Sequence, residues 1–137
     1  MDEPINLVLF SGTDDRLQAA AVLAAGAAAL GKPVNIFLQY WALDAFRADR
    51  IGRDHGLAVE AGSEGRSAVD ALRAAGQASW ADTLRQAKEL GGIDIQACSL
   101  SMDLLRIEQG DLDPLVDGVE GVTAFYLNAG EGQLVFI

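Results

Sequence analysis

The chain has 137 residues, half of them hydrophobic and 22% charged, a balance that fits one folded domain and excludes a disordered chain. Twenty acidic residues against ten basic ones give a formal net charge of −10, a field that repels nucleic acid and anionic lipid, so neither is expected as a partner. One cysteine and one histidine leave no internal disulfide, no zinc spacing and no Ser-His-Asp hydrolase, since nothing around His55 suggests that use.

The stretch Met1-Asp2-Glu3-Pro4 is acidic and runs straight into an apolar segment, which predicts no signal peptide and a cytoplasmic protein. Ile5 to Phe10 is a near-continuous apolar run, as expected of a strand covered on both faces. Ser11-Gly12-Thr13-Asp14-Asp15 is a turn with helix-capping residues, and Arg16 to Leu30 has high helix propensity. Leu17, Ala20, Ala21, Ala24, Ala28 and Leu30 fall on one side, and so many alanines permit close packing on a sheet or another subunit. The run is too short and too weakly apolar to span a bilayer. Gly31 is its stop signal.

Pro33 to Gln39 reads as a second strand, with Tyr40-Trp41-Ala42-Leu43 after it, completing a strand-helix-strand unit of a parallel sheet. From Arg47 to Gly76 the apolar signal breaks down into mixed charges and glycines. This polar excursion is expected to hold a weak strand at Leu57-Ala58-Val59, a short helix from Arg66 to Ala75, and mobility or partner contacts. His55 lies within it and reads as a surface residue. Ser79 can cap a helix running to about Leu90, with Trp80, Leu84, Ala87 and Leu90 as its buried stripe.

Gly91-Gly92 ends that helix, and Ile93 to Ala97 forms a strand with Cys98 at its tip. Ser99 or Ser101 can cap the helix that follows, roughly Met102 to Arg106. A short element starts near Gly110, Leu115 to Glu120 leads into a helix from about Val122 to Ala129 stopped by Gly130, and Gln133 to Ile137 is a last strand. The alternation predicts a three-layer α/β sandwich, flavodoxin-like, with a mostly parallel sheet of about five strands and a single domain over residues 1–137. Ser11 to Thr13, Tyr40 to Ala42 and Cys98 to Ser101 should then converge at the carboxyl ends of the strands.

A thiol at a strand end, facing the start of a helix, tends toward the thiolate, which is the nucleophilic form. The amides of Leu100 and Ser101 and the hydroxyls of Ser99 and Ser101 are candidates to stabilise an anionic sulfur; Met102 and Trp41 are candidates to line its pocket. Each has a plainer reading: Cys98 as a small buried hydrophobe, the serines as caps, Met102 as core, Trp41 as a structural aromatic. Ser11-Gly12-Thr13 could cradle a phosphate, but Asp14 and Asp15 follow at once and oppose an anion, so no cofactor is expected. Helix capping accounts for those two acids. No residue set has the spacing of a metal site.

Three segments, FSGTDDRLQAAAVLAAGAAALGKPVNIFLQYWAL, GIDIQACSLSMDLLRI and DGVEGVTAFYL, resemble the DsrE/DsrF-like sulfur-relay family, in particular its single-domain DsrE2-type group, sometimes labelled "peroxiredoxin family". The segment around ACSLSMDLL is the most specific; residues 47–76 are unmatched. The peroxiredoxin label is misleading here, because no Pro-x-x-x-Thr-x-x-Cys run precedes Cys98. The resemblance implies a DsrE-like fold, a persulfide carried on Cys98, sulfur donor and acceptor proteins or small sulfane-sulfur compounds as partners, and a homotrimer or hexamer. With one cysteine any transfer must be intermolecular. Two other readings stay open: a non-catalytic oligomeric subunit of a sulfur-relay complex, and a small-molecule-binding module with an inert buried cysteine.

Overall fold

A computed structural model describes residues 3–137; Met1 and Asp2, part of the acidic start read above, lie outside the described residues. Five strands, β1 (Ile5–Leu9), β2 (Val34–Leu38), β3 (Ile93–Cys98), β4 (Gly118–Glu120) and β5 (Leu134–Phe136), form one sheet in the order β4-β3-β2-β1-β5. Every pairing is parallel. Six α-helices accompany it: α1 (Asp14–Ala29), α2 (Tyr40–Ala45), α3 (Gly62–Ala74), α4 (Trp80–Glu89), α5 (Ser99–Leu105) and α6 (Val122–Ala129). No helix among the described residues is long and apolar enough to cross a membrane.

The strand order decides which face each helix covers. The chain steps from β1 to β2 to β3 to β4 in one direction, so right-handed crossovers set their helices on one side of the sheet; the jump from β4 back to β5 reverses direction and sends α6 to the other side. Side-chain parity follows. Leu7, Leu9, Val34, Ile36, Leu38, Ile93, Ile95 and Ala97 join one continuous core with α1 and α4. The opposite parity carries Asn6, Asn35, Asp94 and Gln96, with a small separate cluster of Val8, Phe37, Cys98 and Phe125.

The second face is therefore thinly covered and polar. Asn6, fully buried there, donates to the Ala129 and Gln133 carbonyls at 3.2 Å, and Asn35 donates to Asn6 Oδ1 at 3.0 Å. These bonds satisfy amides that burial would otherwise penalise.

Several expectations shift in the fold. Leu30 and Leu90, read as the ends of buried stripes, are exposed because each follows the last helical turn as a C-cap. Residues 57–59 form no strand; Val59–Ala61 is a 3-10 turn leading into α3, which starts at Gly62, four residues before the expected Arg66. Gly118–Glu120 is a strand, not a run-in to a helix. Asp14 is more than a helix-end acid: it is buried, accepting from Trp80 Nε1 at 2.9 Å, from Arg73 Nη2 at 2.8 Å and from the His55 amide at 3.0 Å. It thus ties the 47–76 segment to α1 and α4. His55 is half-buried rather than a surface group, its ring 5.8 Å from that of Trp80.

Candidate functional site

The three predicted stretches meet at the carboxyl edge of the sheet. The Tyr40 amide, in a left-handed backbone conformation at φ 44°, donates to Ser101 Oγ at 3.1 Å, joining the start of α2 to α5. The loop after β1 lies so close to α2 that a Cβ on Gly12 would overlap the Trp41 carbonyl oxygen. Within that loop the Ser11 and Thr13 hydroxyls are 3.3 Å apart.

Cys98 ends β3 and is itself the N-cap of α5, whose first residue is Ser99. The two serines therefore do not cap this helix as expected. Ser99 and Ser101 lie within its first turn; Ser101 is buried and its hydroxyl is taken by Tyr40. Cys98 is 4% exposed and its side chain makes no capping hydrogen bond to α5. Strand parity is the reason for this burial: Cys98 projects to the α6 side, among Val8, Phe37 and Phe125. Within that cluster the Phe37 and Phe125 rings stack, centroids 4.7 Å apart and 12° from parallel. Met102 is buried in the main core, whereas Leu100 and Trp41 are exposed.

Sequence reasoning overlooked the acid beside this thiol. The β3–β4 register sets Glu120 opposite Cys98, on the same face. Burial, together with the charge of Asp94, pushes the Glu120 carboxyl above its ordinary value, while a 3.2 Å hydrogen bond from Asn128 partly offsets this. Asp94 accepts from Gln96 Nε2 at 3.0 Å. The signal that could have found this acid was a strand at 118–120, which is too short to show as periodicity. Among the described residues no group of three His, Cys, Asp or Glu side chains is arranged to hold a metal ion.

Cover over the thiol is one helix deep. Only Phe125 and Ala129 of α6 are buried, and its outer residues Val122, Tyr126 and Leu127 are exposed beside Leu134 and Phe136 of the edge strand β5.

Residues 1–58 match the sequence model of the DsrE/DsrF/DrsH-like family, the family whose pattern the sequence resembles. The uncharacterized protein YrkE of Bacillus subtilis (strain 168) is 28% identical over 149 aligned positions, covering 93% of this chain and 92% of YrkE. Two solved structures share the fold. The protein of unknown function MTH1491 from Methanobacterium thermoautotrophicum superposes with a TM-score of 0.62 at 15% identity, over 99% of this chain and 100% of its own. The ychN protein from E. coli gives 0.60 at 12% identity, over 100% of both chains.

Proposed function

We propose, from the premise that residues 1–58 carry the DsrE/DsrF/DrsH-like pattern, that this chain is a single-domain sulfur-relay-type protein whose Cys98 bears sulfane sulfur as a persulfide. The observation that supports this best is the position of its one cysteine, heading α5 at the sheet edge where the loops after β1 and β2 meet. In the forward step the Cys98 thiolate attacks the outer sulfur of a donor persulfide or polysulfide. The S–S bond of the donor breaks, a thiolate leaves, and a Cys98 persulfide anion forms with no net oxidation. An acceptor thiolate from another protein then attacks the outer sulfur and regenerates the Cys98 thiolate. Both steps require α6, whose Phe125 packs with Val8, Phe37 and Cys98, to move aside. A free thiol of this kind suits a reducing compartment such as the cytoplasm.

Self-association belongs to the same reading. Tyr126, Leu127 and Val122 of α6 and Phe136 and Leu134 of β5 are large apolar side chains left exposed, which copies of the chain would cover in a trimer or hexamer. Light scattering on the eluted native protein tests this, and a monomer at micromolar concentration refutes it.

A second reading is favoured by the 4% exposure of Cys98 and its apolar surroundings: a non-catalytic subunit in which Cys98 only fills space. Mass spectrometry after incubation with polysulfide or thiosulfate separates the two. The carrier gains sulfur at Cys98 under native conditions and the Cys98→Ser variant gains none. The subunit reading requires that the native protein stay unmodified while the unfolded chain reacts.

A further inference from the structure

A cavity of about 610 Å³ lies away from Cys98, at the starts of α1 and α4 beneath the 47–76 segment. Its walls include Ile51, Trp80 and Ala81 of the main core, whereas Cys98 belongs to the cluster on the opposite face of the sheet. The volume is in the range of small-ligand pockets.

The outer wall is α3, and its packing is unusual. Val69, Leu72 and Arg73 are spaced at three and four residues, so they share one face, and that face lines the cavity. No residue of α3 is buried. An amphipathic helix normally seats its apolar stripe on a core; here the stripe stands over open space, and the helix is held at its ends by polar ties. Arg73 reaches Asp14 and Asp54, and Arg66 reaches Asp54.

Four aspartates line the cavity against three arginines, but the aspartates are already engaged. Asp14 accepts from Trp80, Arg73 and His55; Asp15 accepts from the Ala58 and Arg16 amides; Asp54 accepts from Gly56, Arg66 and Arg73; Asp82 is paired with Arg85. What remains open is donors. Arg53 has no ion-pair partner among the described residues, and its guanidinium offers five N–H groups. At the start of α4, Ser79 Oγ takes the Asp82 amide and the Ser79 carbonyl takes the Thr83 amide, leaving the Trp80 and Ala81 amides without partners among the described residues.

We infer that this cavity binds a small organic acid, its carboxylate on Arg53 and the first amides of α4, its apolar body against Val69, Leu72, Ile51 and Leu57. The site is independent of the sulfur chemistry proposed for Cys98.

The test is an NMR titration of the full ¹⁵N-labelled chain with hexanoate, hexylammonium, hexanol and inorganic phosphate in parallel. Hexanoate is expected to saturate, moving the Trp80 indole and the Trp80 and Ala81 amides, and to bind more tightly than hexanol or phosphate. Arg53→Ala, at an exposed position that leaves the fold intact, should weaken hexanoate about ten- to hundredfold, as loss of one charge-assisted contact does. Leu72→Asn should weaken hexanoate and leave acetate unchanged. Hexylammonium binding as well as hexanoate, phosphate binding as well as hexanoate, shifts confined to α6, or no saturable shift at all would each overturn the assignment.

Discussion

Replacing Phe125 with alanine should turn a protected thiol into an accessible one, and the size of the effect follows from the packing. Cys98 shows 4% exposure and shares its cluster only with Val8, Phe37 and Phe125. A reagent that must wait for α6 to undock labels at a rate set by the population of the open state. Phe125 is fully buried and stacked on Phe37 at 4.7 Å, and it is one of two buried residues on α6. A buried Phe→Ala change costs about 3–5 kcal/mol, nearly all of it here in contacts that undocking would break in any case. At about 1.4 kcal/mol per tenfold, the open population rises at least about a hundredfold. The assay is absorbance-monitored labelling of native protein with a disulfide reagent at neutral pH, in the wild type and in Phe125→Ala. Leu84→Ala, a truncation of comparable cost in the main core beneath α4, is the control. Faster labelling in Phe125→Ala with little change in Leu84→Ala identifies local opening of α6. Equal acceleration in both means the sulfur is reached only through global unfolding, which refutes a native route to Cys98 and with it the carrier mechanism.

Four further outcomes are expected. Asp14→Asn should lower the urea midpoint by an amount worth about 1–3 kcal/mol with no change in m, because a buried acceptor loses its charge toward Arg73 and cannot serve all three donors; an unchanged midpoint would remove Asp14 as the tie between α1, α4 and the 47–76 segment. Glu120, raised by burial and then by the Asp94 charge, holds its proton to higher pH folded than unfolded, so its contribution is best below its ordinary 4.5 and declines as pH rises through the folded value. Melting curves from pH 4 to 7 should therefore show Glu120→Gln gaining on the wild type as pH rises, and a constant difference would contradict this. Asp54 runs the other way: the Gly56 amide, opposed by burial and aided by Arg66 and Arg73, holds its carboxyl below the ordinary 3.8, so the stability it supplies is present above that value and lost as pH falls through the folded one. Asp54→Asn should accordingly flatten the acid limb of the stability profile. Gly12→Ala drives a methyl into the Trp41 carbonyl and should cost about 1–3 kcal/mol by thermal melting, since backbone cannot yield as a flexible side chain would.

Local signals carried much of the architecture. The apolar runs at 5–10, 33–39 and 93–97, the stops at Gly31, Gly91-Gly92 and Gly130, and the Ser79 cap all correspond to observed strand and helix boundaries, because each depends on propensity and backbone geometry within a few residues. The meeting of Ser11 to Thr13, Tyr40 to Ala42 and Cys98 to Ser101 was legible too, since parallel strands of similar length bring their following loops to one edge. Strand β4 was not legible: three residues, one of them glycine, owe their extended form to pairing with β3 and not to any pattern of their own.

Nor could the sequence tell what surrounds the sulfur. Whether Cys98 faces solvent, core or acid depends on which side of the sheet it projects from and which helix covers that side. The side is fixed by parity counted from the buried residues of β3, and the cover by the return crossover from β4 to β5. The cover is a property of strand order, a long-range choice that no local run of residues encodes. The chain by itself determined that a cysteine would stand at the head of α5; only the tertiary arrangement decided that Phe125 would lie over it and Glu120 beside it.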